Sequence, residues 1–183
     1  ILETFVKHNY QGRVGILTKS PMVLDDLELL KQLPNVEVGL SITTTDDKMS
    51  RYLEVQAPLV SARLRTLKKL NDAEIPTYVF VGPFLPHMSL KPELINSLFS
   101  EIKKAGTTDI KIEYLNLPKY VRPKMNKMLK SESKEVQEIY ASSQLKKYRE
   151  EIWNATKSKD WLQSNKYGTS RERSRRGVKK SIG

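Results

Sequence analysis

The chain has 183 residues, of which 38% are hydrophobic, enough for one core that buries roughly two-thirds of the unfolded surface. It contains no cysteine and only two histidines, His8 and His87, which excludes disulfides, thiolate nucleophiles and Cys-ligated zinc or iron–sulfur centres built from these residues alone. The formal charge of +11 is unevenly placed: residues 1–116 carry 14 Lys plus Arg against 14 Asp plus Glu, and the remainder carries 18 against 7.

The opening ILETFVKHNYQG puts Leu2, Phe5 and Val6 on one helical face and exits through Asn9 to Gly12. Nothing caps its start, and it reads as a helix already under way. RVGILTKS follows as a short apolar run suited to a strand buried on both faces. Over PMVLDDLELLKQLPN the spacing changes, with Val23, Leu27 and Leu30 predicting a helix. Ser20 is placed to cap it, Pro21 fits a first turn that needs no amide donor, and Asp25 and Asp26 complement the dipole.

The cycle repeats. VEVGLSITT predicts a second strand, Val60, Leu64 and Leu67 mark a helix in VSARLRTLKKLND, and TYVFVGPF predicts a third strand. Ile95, Leu98, Phe99 and Ile102 line a third helix that stops at Gly106, and DIKIEYLNL begins a fourth strand. Four strands alternating with three helices require right-handed crossovers and a parallel sheet, either open and doubly wound or part of a barrel. No Gly-x-Gly-x-x-Gly or phosphate loop favours a nucleotide-binding open sheet. The expected division is βα units over 1–116, a helical extension over 117–162 with its helix near 134–154, and a basic, disordered tail over 163–183. With no run of about 18 apolar residues and no signal-peptide pattern, the chain reads as soluble and cytoplasmic, without a membrane partner.

Ligands of parallel α/β folds bind at the carboxyl ends of the strands. Those ends are Thr18, Lys19 and Ser20; Ser41, Thr43, Thr44, Thr45 and Asp46; and Gly82, Pro83 and Pro86. Lys19 offers a cation to a carboxylate or phosphate, the hydroxyls offer hydrogen bonds, and Gly82 lets a flat ligand approach the backbone. Turn chemistry explains the same residues equally well: Ser20 as a helix cap, the threonines as a strand-to-helix turn, and Lys19 as a snorkelling side chain. The basic end suits a polyanion, nucleic acid above all, through Arg171, Arg173, Arg175 and Arg176; a solvated tail with no specific partner accounts for it as well.

The runs ILTKSP, VGLSITTTDDKMSRYLE and RLRTLKKLNDAEIPTYVFVGPFLP, spanning Val14 to Pro86, resemble the spore photoproduct lyase group of radical S-adenosylmethionine proteins, often labelled DNA repair photolyases. The resemblance implies a partial (β/α)6 TIM-like barrel of which this chain holds only the later βα units, plus a C-terminal helical extension. It also implies a [4Fe–4S] cluster on a Cys-x3-Cys-x2-Cys loop after the first strand of the barrel, a part that precedes these residues. S-adenosylmethionine on that cluster, fed by an electron donor, would be cleaved reductively to a 5′-deoxyadenosyl radical. By the same carry-over Lys19 faces the methionyl carboxylate, Ser41 and its neighbour Thr43 bond the carboxylate or ribose, and Val81, Gly82 and Pro83 lie along the adenine. Glu54 and Arg63 match positions expected to support the site or each other; read for stability alone they are an exposed ion pair worth under about 1 kcal/mol.

Two departures from the family count against lyase activity by this chain alone: it lacks the cluster cysteines, and it lacks any cysteine to return a hydrogen atom to a substrate radical. His87 stands where relatives carry Gly, which narrows that loop. Three readings stand: the cofactor-positioning portion of a radical enzyme, a cysteine-free relative that binds nucleic acid through its basic end, or a bare half-barrel whose exposed sheet edges associate.

Overall fold

The structure is a computed structural model that describes residues 1–84, 92–115, 120 and 122–140. Helix α1 (Leu2–Lys7) leads into β1 (Val14–Thr18), a 3-10 helix over Pro21–Asp26, α2 (Leu27–Leu30) and β2 (Val36–Ser41). Then come α3 (Asp47–Leu53), α4 (Val60–Asp72), β3 (Thr77–Phe84), α5 (Pro92–Lys104), β4 (Ile110–Tyr114), α6 (Arg122–Leu129) and α7 (Lys134–Ile139). The four strands form one sheet in the order β1-β2-β3-β4, every pair parallel.

Alternation along the strands decides which face the helices cover. Val36, Val38 and Leu40 of β2, Val79 and Val81 of β3, and Ile110 of β4 are buried in one cluster. Leu30, Leu67, Leu70, Leu98 and Ile102 from α2, α4 and α5 join them, and Leu2, Phe5 and Val6 of α1 pack against its edge. Helices α1, α2, α4 and α5 therefore share a core with one set of alternating strand residues. That is the layering of a partial barrel wall, whereas a doubly wound sheet divides its helices between two faces. The opposite face carries Leu17, Glu37, Gly39, Ser41, Tyr78, Phe80 and Lys111, matched across the strands as Leu17 to Gly39, Gly39 to Tyr78 and Ser41 to Phe80. Gly39 serves a close approach: a β-carbon there would lie 2.2 Å from the Tyr78 ring, so the ring lies across the bare backbone.

Two predicted helices take a different form. The segment after β1 is a 3-10 helix followed by a single turn of α2, because Leu24, Leu27, Leu30 and Leu33 fall three residues apart, the period of a 3-10 helix, and all four reach the core. Ser20 caps it as expected, its hydroxyl accepting from the Met22 amide at 3.2 Å, but Asp25 and Asp26 lie at its far end, away from the positive pole. The crossover from β2 to β3 holds two helices, α3 and α4, where one was predicted. Asp46 makes the first, its carboxylate accepting from the Lys48 and Met49 amides at 2.7 and 3.3 Å.

Gly106 ends the α5 segment at φ +95, a conformation that favours glycine. Beyond β4, Leu115 and Tyr140 are buried in a second small cluster with Met125, Leu129, Val136 and Ile139. The expected helix near 134–154 is represented by α7, and α6 is an addition to the prediction; residues 141–154 and the tail lie outside the described residues. So do Pro86 and His87. Among the described residues no helix is long and apolar enough to cross a membrane.

Candidate ligand site at the strand ends

Lys19 directly follows β1, Ser41 ends β2, and Glu54 caps the carboxyl end of α3. Arg63 rises from the first turns of α4. The fold joins these four. Lys19 Nζ lies 2.8 Å from Glu54 Oε1, and the other oxygen of the same carboxylate is in close contact with Arg63 Nη2. Arg63 also donates through Nη1 to the Ser41 carbonyl at 3.0 Å and through Nε to the Pro58 carbonyl at 2.9 Å.

Burial within this group is graded. The Arg63 side chain is 1% exposed, Glu54 17% and Lys19 42%. The expectation of an exposed Glu54–Arg63 ion pair is therefore incorrect. Arg63 occupies the apolar stripe of α4, one turn from Val60 and from Leu67, so the helix turns its guanidinium into the interior. There every donor direction in use meets an acceptor, as a buried guanidinium requires. Burial by itself would raise the Glu54 carboxyl, but the hydrogen bonds and charges of Lys19 and Arg63 outweigh it and hold the group below the ordinary glutamate range.

Lys19, Glu54 and Arg63 together carry one positive charge. Beside them the Ser41 side chain is buried, and its hydroxyl has no hydrogen-bond partner among the described residues. Two residues on, Thr43 is half-buried and its hydroxyl is likewise unpartnered among the described residues. Thr44 is used locally, accepting from the Asp46 amide at 3.1 Å, and Thr45 lies 3.4 Å from the Ser97 hydroxyl. An anion with further hydrogen-bonding groups suits this set: one spare positive charge and two hydroxyls that have no partner among the described residues, at the end of a parallel strand.

The third strand end is less open to a ligand than its sequence suggests. Val81 is fully buried in the core, which leaves only its backbone for contacts on the other face. Gly82 is half-buried, and a β-carbon there would meet the Phe80 ring at 2.7 Å and Glu113 Cβ at 2.8 Å, so neighbouring side chains take the space that glycine leaves. Pro83 is exposed and follows a cis peptide bond.

Sequence reasoning missed two supports. Asp47 Oδ1 accepts from the Ser61 amide at 2.9 Å and so caps α4 from the preceding helix; these Ser61 hydrogen bonds keep its carboxyl below the ordinary aspartate value. Arg51 Nη1 donates to the Val55 carbonyl at 2.6 Å and binds the loop between α3 and α4. The paired aspartates ahead of an apolar spacing were the available signal for the caps. Arg51 had none.

A second charged group lies at the opposite, amino ends of the strands. Arg13 and Lys111 reach Glu37 Oε1 at 2.7 and 3.5 Å, and Lys111 Nζ sits 3.2 Å from the Tyr78 ring centroid. Arg13 and Lys111 thus share one carboxylate.

Among the described residues no group of three or more His, Cys, Asp and Glu side chains could hold a metal ion, and with no cysteine in the sequence the thiolate ligands of a cluster are not supplied by this chain. Arg171, Arg173, Arg175 and Arg176 lie outside the described residues. The described part of the basic half presents Lys124, Lys127 and Lys130 exposed on and just after α6, with Tyr120 83% exposed beside them in sequence.

No family model matches the chain. An uncharacterized protein of Methanocaldococcus jannaschii is 29% identical over 151 residues, covering 82% of this chain and 56% of that protein. An uncharacterized protein of Mycobacterium tuberculosis is 31% identical over 108 residues, covering 57% of this chain and 32% of that protein. The chain thus spans about half or less of the curated relatives it matches. Among solved structures, a cysteine-to-serine mutant of spore photoproduct lyase aligns at a TM-score of 0.55 with 16% identity, over 84% of this chain and 52% of that one. A mutant of the same lyase with bound AdoMet and dinucleoside spore photoproduct aligns at 0.52 over the same shares. The shared architecture is an α/β fold with a parallel sheet of partial-barrel type.

Proposed function

We propose that this chain is the S-adenosylmethionine-positioning portion of a cytoplasmic radical S-adenosylmethionine protein similar to spore photoproduct lyase. The observation that carries the reading is the linked group at the carboxyl ends of β1 and β2, where Lys19 pairs with Glu54 and Arg63 ties Glu54 to the Ser41 carbonyl. Lys19 and the Ser41 and Thr43 hydroxyls would hold the methionyl carboxylate and ribose, and the backbone of Val81, Gly82 and Pro83 would border the adenine. A [4Fe–4S] cluster supplied with electrons, together with S-adenosylmethionine, would supply reductive radical chemistry. The cluster ligands would come from outside this chain. What these residues do is bind, orient and keep water from the ligand; the solved lyase with bound AdoMet supports the reading through its similar fold.

Calorimetric titration of the complete, cluster-loaded protein with S-adenosylmethionine tests the assignment. Lys19→Ala and Ser41→Ala should each weaken binding about tenfold, as loss of a charged or buried hydrogen bond does. Unchanged affinity in both variants refutes it. The wider reading is tested by the residues encoded ahead of Ile1: three cysteines at Cys-x3-Cys-x2-Cys spacing, with about four irons per chain in protein prepared without oxygen, support a radical enzyme. An upstream region without them refutes it.

The charge asymmetry and the exposed lysines around α6 favour a second reading, a cysteine-free relative that binds nucleic acid without catalysis. Affinity for an oligonucleotide should then fall steeply with salt, and neutralising Arg171, Arg173, Arg175 and Arg176 should flatten that slope. Binding that cannot be measured even at low salt refutes it.

A further inference from the structure

The two cations on Glu54 are held very differently. Arg63 makes three contacts from a site with 1% of its side chain exposed, and it ties the Glu54 carboxylate to the Ser41 and Pro58 carbonyls. Among the described residues Lys19 makes a single contact, through an ammonium on a flexible stem that is 42% exposed. Breaking the Arg63 contacts would strand a buried charge, whereas breaking the Lys19 contact leaves Glu54 still paired and places Lys19 in water. The lysine is therefore the exchangeable member of the group.

Where it can go is set by the same guanidinium. Arg63 bonds the backbone of Ser41, a buried residue whose hydroxyl has no partner among the described residues, so one side chain fixes the position of Glu54 and of the β2 end together. We propose that Glu54 and Arg63 are positioning residues, with Glu54 holding Lys19 in the ligand-free protein and yielding it to an arriving carboxylate beside Ser41. The exchange rests on the reading above that this site takes S-adenosylmethionine. It adds that Glu54 competes with the ligand for Lys19, so removing the Glu54 charge strengthens binding of a carboxylate.

The test is calorimetry on the complete, cluster-loaded protein with S-adenosylmethionine and with its decarboxylated analogue, using wild type, Glu54→Gln, Lys19→Met and the double variant. In parallel, the Lys19 ammonium is followed by nitrogen-15 side-chain NMR in the wild type, assigned by its loss in Lys19→Met. The expected result is that Glu54→Gln tightens S-adenosylmethionine binding by up to about fivefold and leaves the analogue unaffected. The gain should vanish in the Lys19→Met background, and S-adenosylmethionine, but not the analogue, should move the Lys19 signal. Weaker binding by folded Glu54→Gln, or an equal effect of that substitution with Lys19 absent, overturns the exchange while leaving the site reading in place. Absence of any binding to wild type overturns the site reading and the exchange together. If Glu54→Gln does not fold, the wild-type NMR decides: a Lys19 signal indifferent to bound S-adenosylmethionine overturns the proposal.

Discussion

Replacing Arg63 with methionine would separate a buried structural ion pair from a surface one. The substitution keeps most of the volume of the stem in the α4 stripe and removes all three contacts. Two carbonyls, of Ser41 and Pro58, lose a donor, at about 1 kcal/mol or more each where water cannot replace it. Glu54 loses its buried partner but keeps Lys19 and 17% exposure, which moderates the cost of its stranded charge. A destabilisation of about 3–5 kcal/mol follows, the range for breaking one side of a buried pair. Urea unfolding followed by circular dichroism would show it as a lower midpoint at unchanged slope. Adding Glu54→Leu should recover part of the loss, because the remaining charge is then removed as well. A cost below about 1 kcal/mol for the single variant, as an exposed pair would give, would refute the reasoning.

Acid should act through the same carboxylate. The pKa of Glu54 is lowered in the folded chain, so its stabilisation is present above the unfolded value and is lost as pH falls through the folded one. Glu37, lowered by Arg13 and Lys111 against the opposing effect of burial, adds in the same sense, and a pH series of urea midpoints should show a steep acid limb that flattens in Glu37→Gln. A limb that keeps its slope in that variant argues that other carboxylates carry it. Asp46→Ala removes the acceptor for the Lys48 and Met49 amides and should cost about 1 kcal/mol, seen as increased amide exchange in α3; unaltered exchange there would refute the capping role.

Much of the architecture was legible because it rests on local periodicity. The apolar runs at 14–18, 36–41, 77–84 and 110–114 are too short for helices, and each became a parallel strand, although β1 is not buried on both faces as expected, since Gly15 and Leu17 are exposed. Where the reading failed, a finer period was available: leucines three apart signalled the 3-10 helix, and the aspartates at 46 and 47 signalled the start of α3. Arg63 was partly legible too, since its spacing from Val60 and Leu67 puts a charge in an apolar stripe.

By itself the sequence determined the four strands, their parallel pairing and the residues that reach the strand ends, because those follow from side-chain period and from the handedness of crossovers. Only the tertiary structure decided what those residues do to one another. Lys19 and Glu54 are 35 positions apart, and their meeting depends on the end of β1 and the carboxyl end of α3 coming together in space. No local pattern encodes the burial that makes Arg63 a fixed anchor and leaves Lys19 exchangeable, since desolvation of a charge depends on everything packed around it.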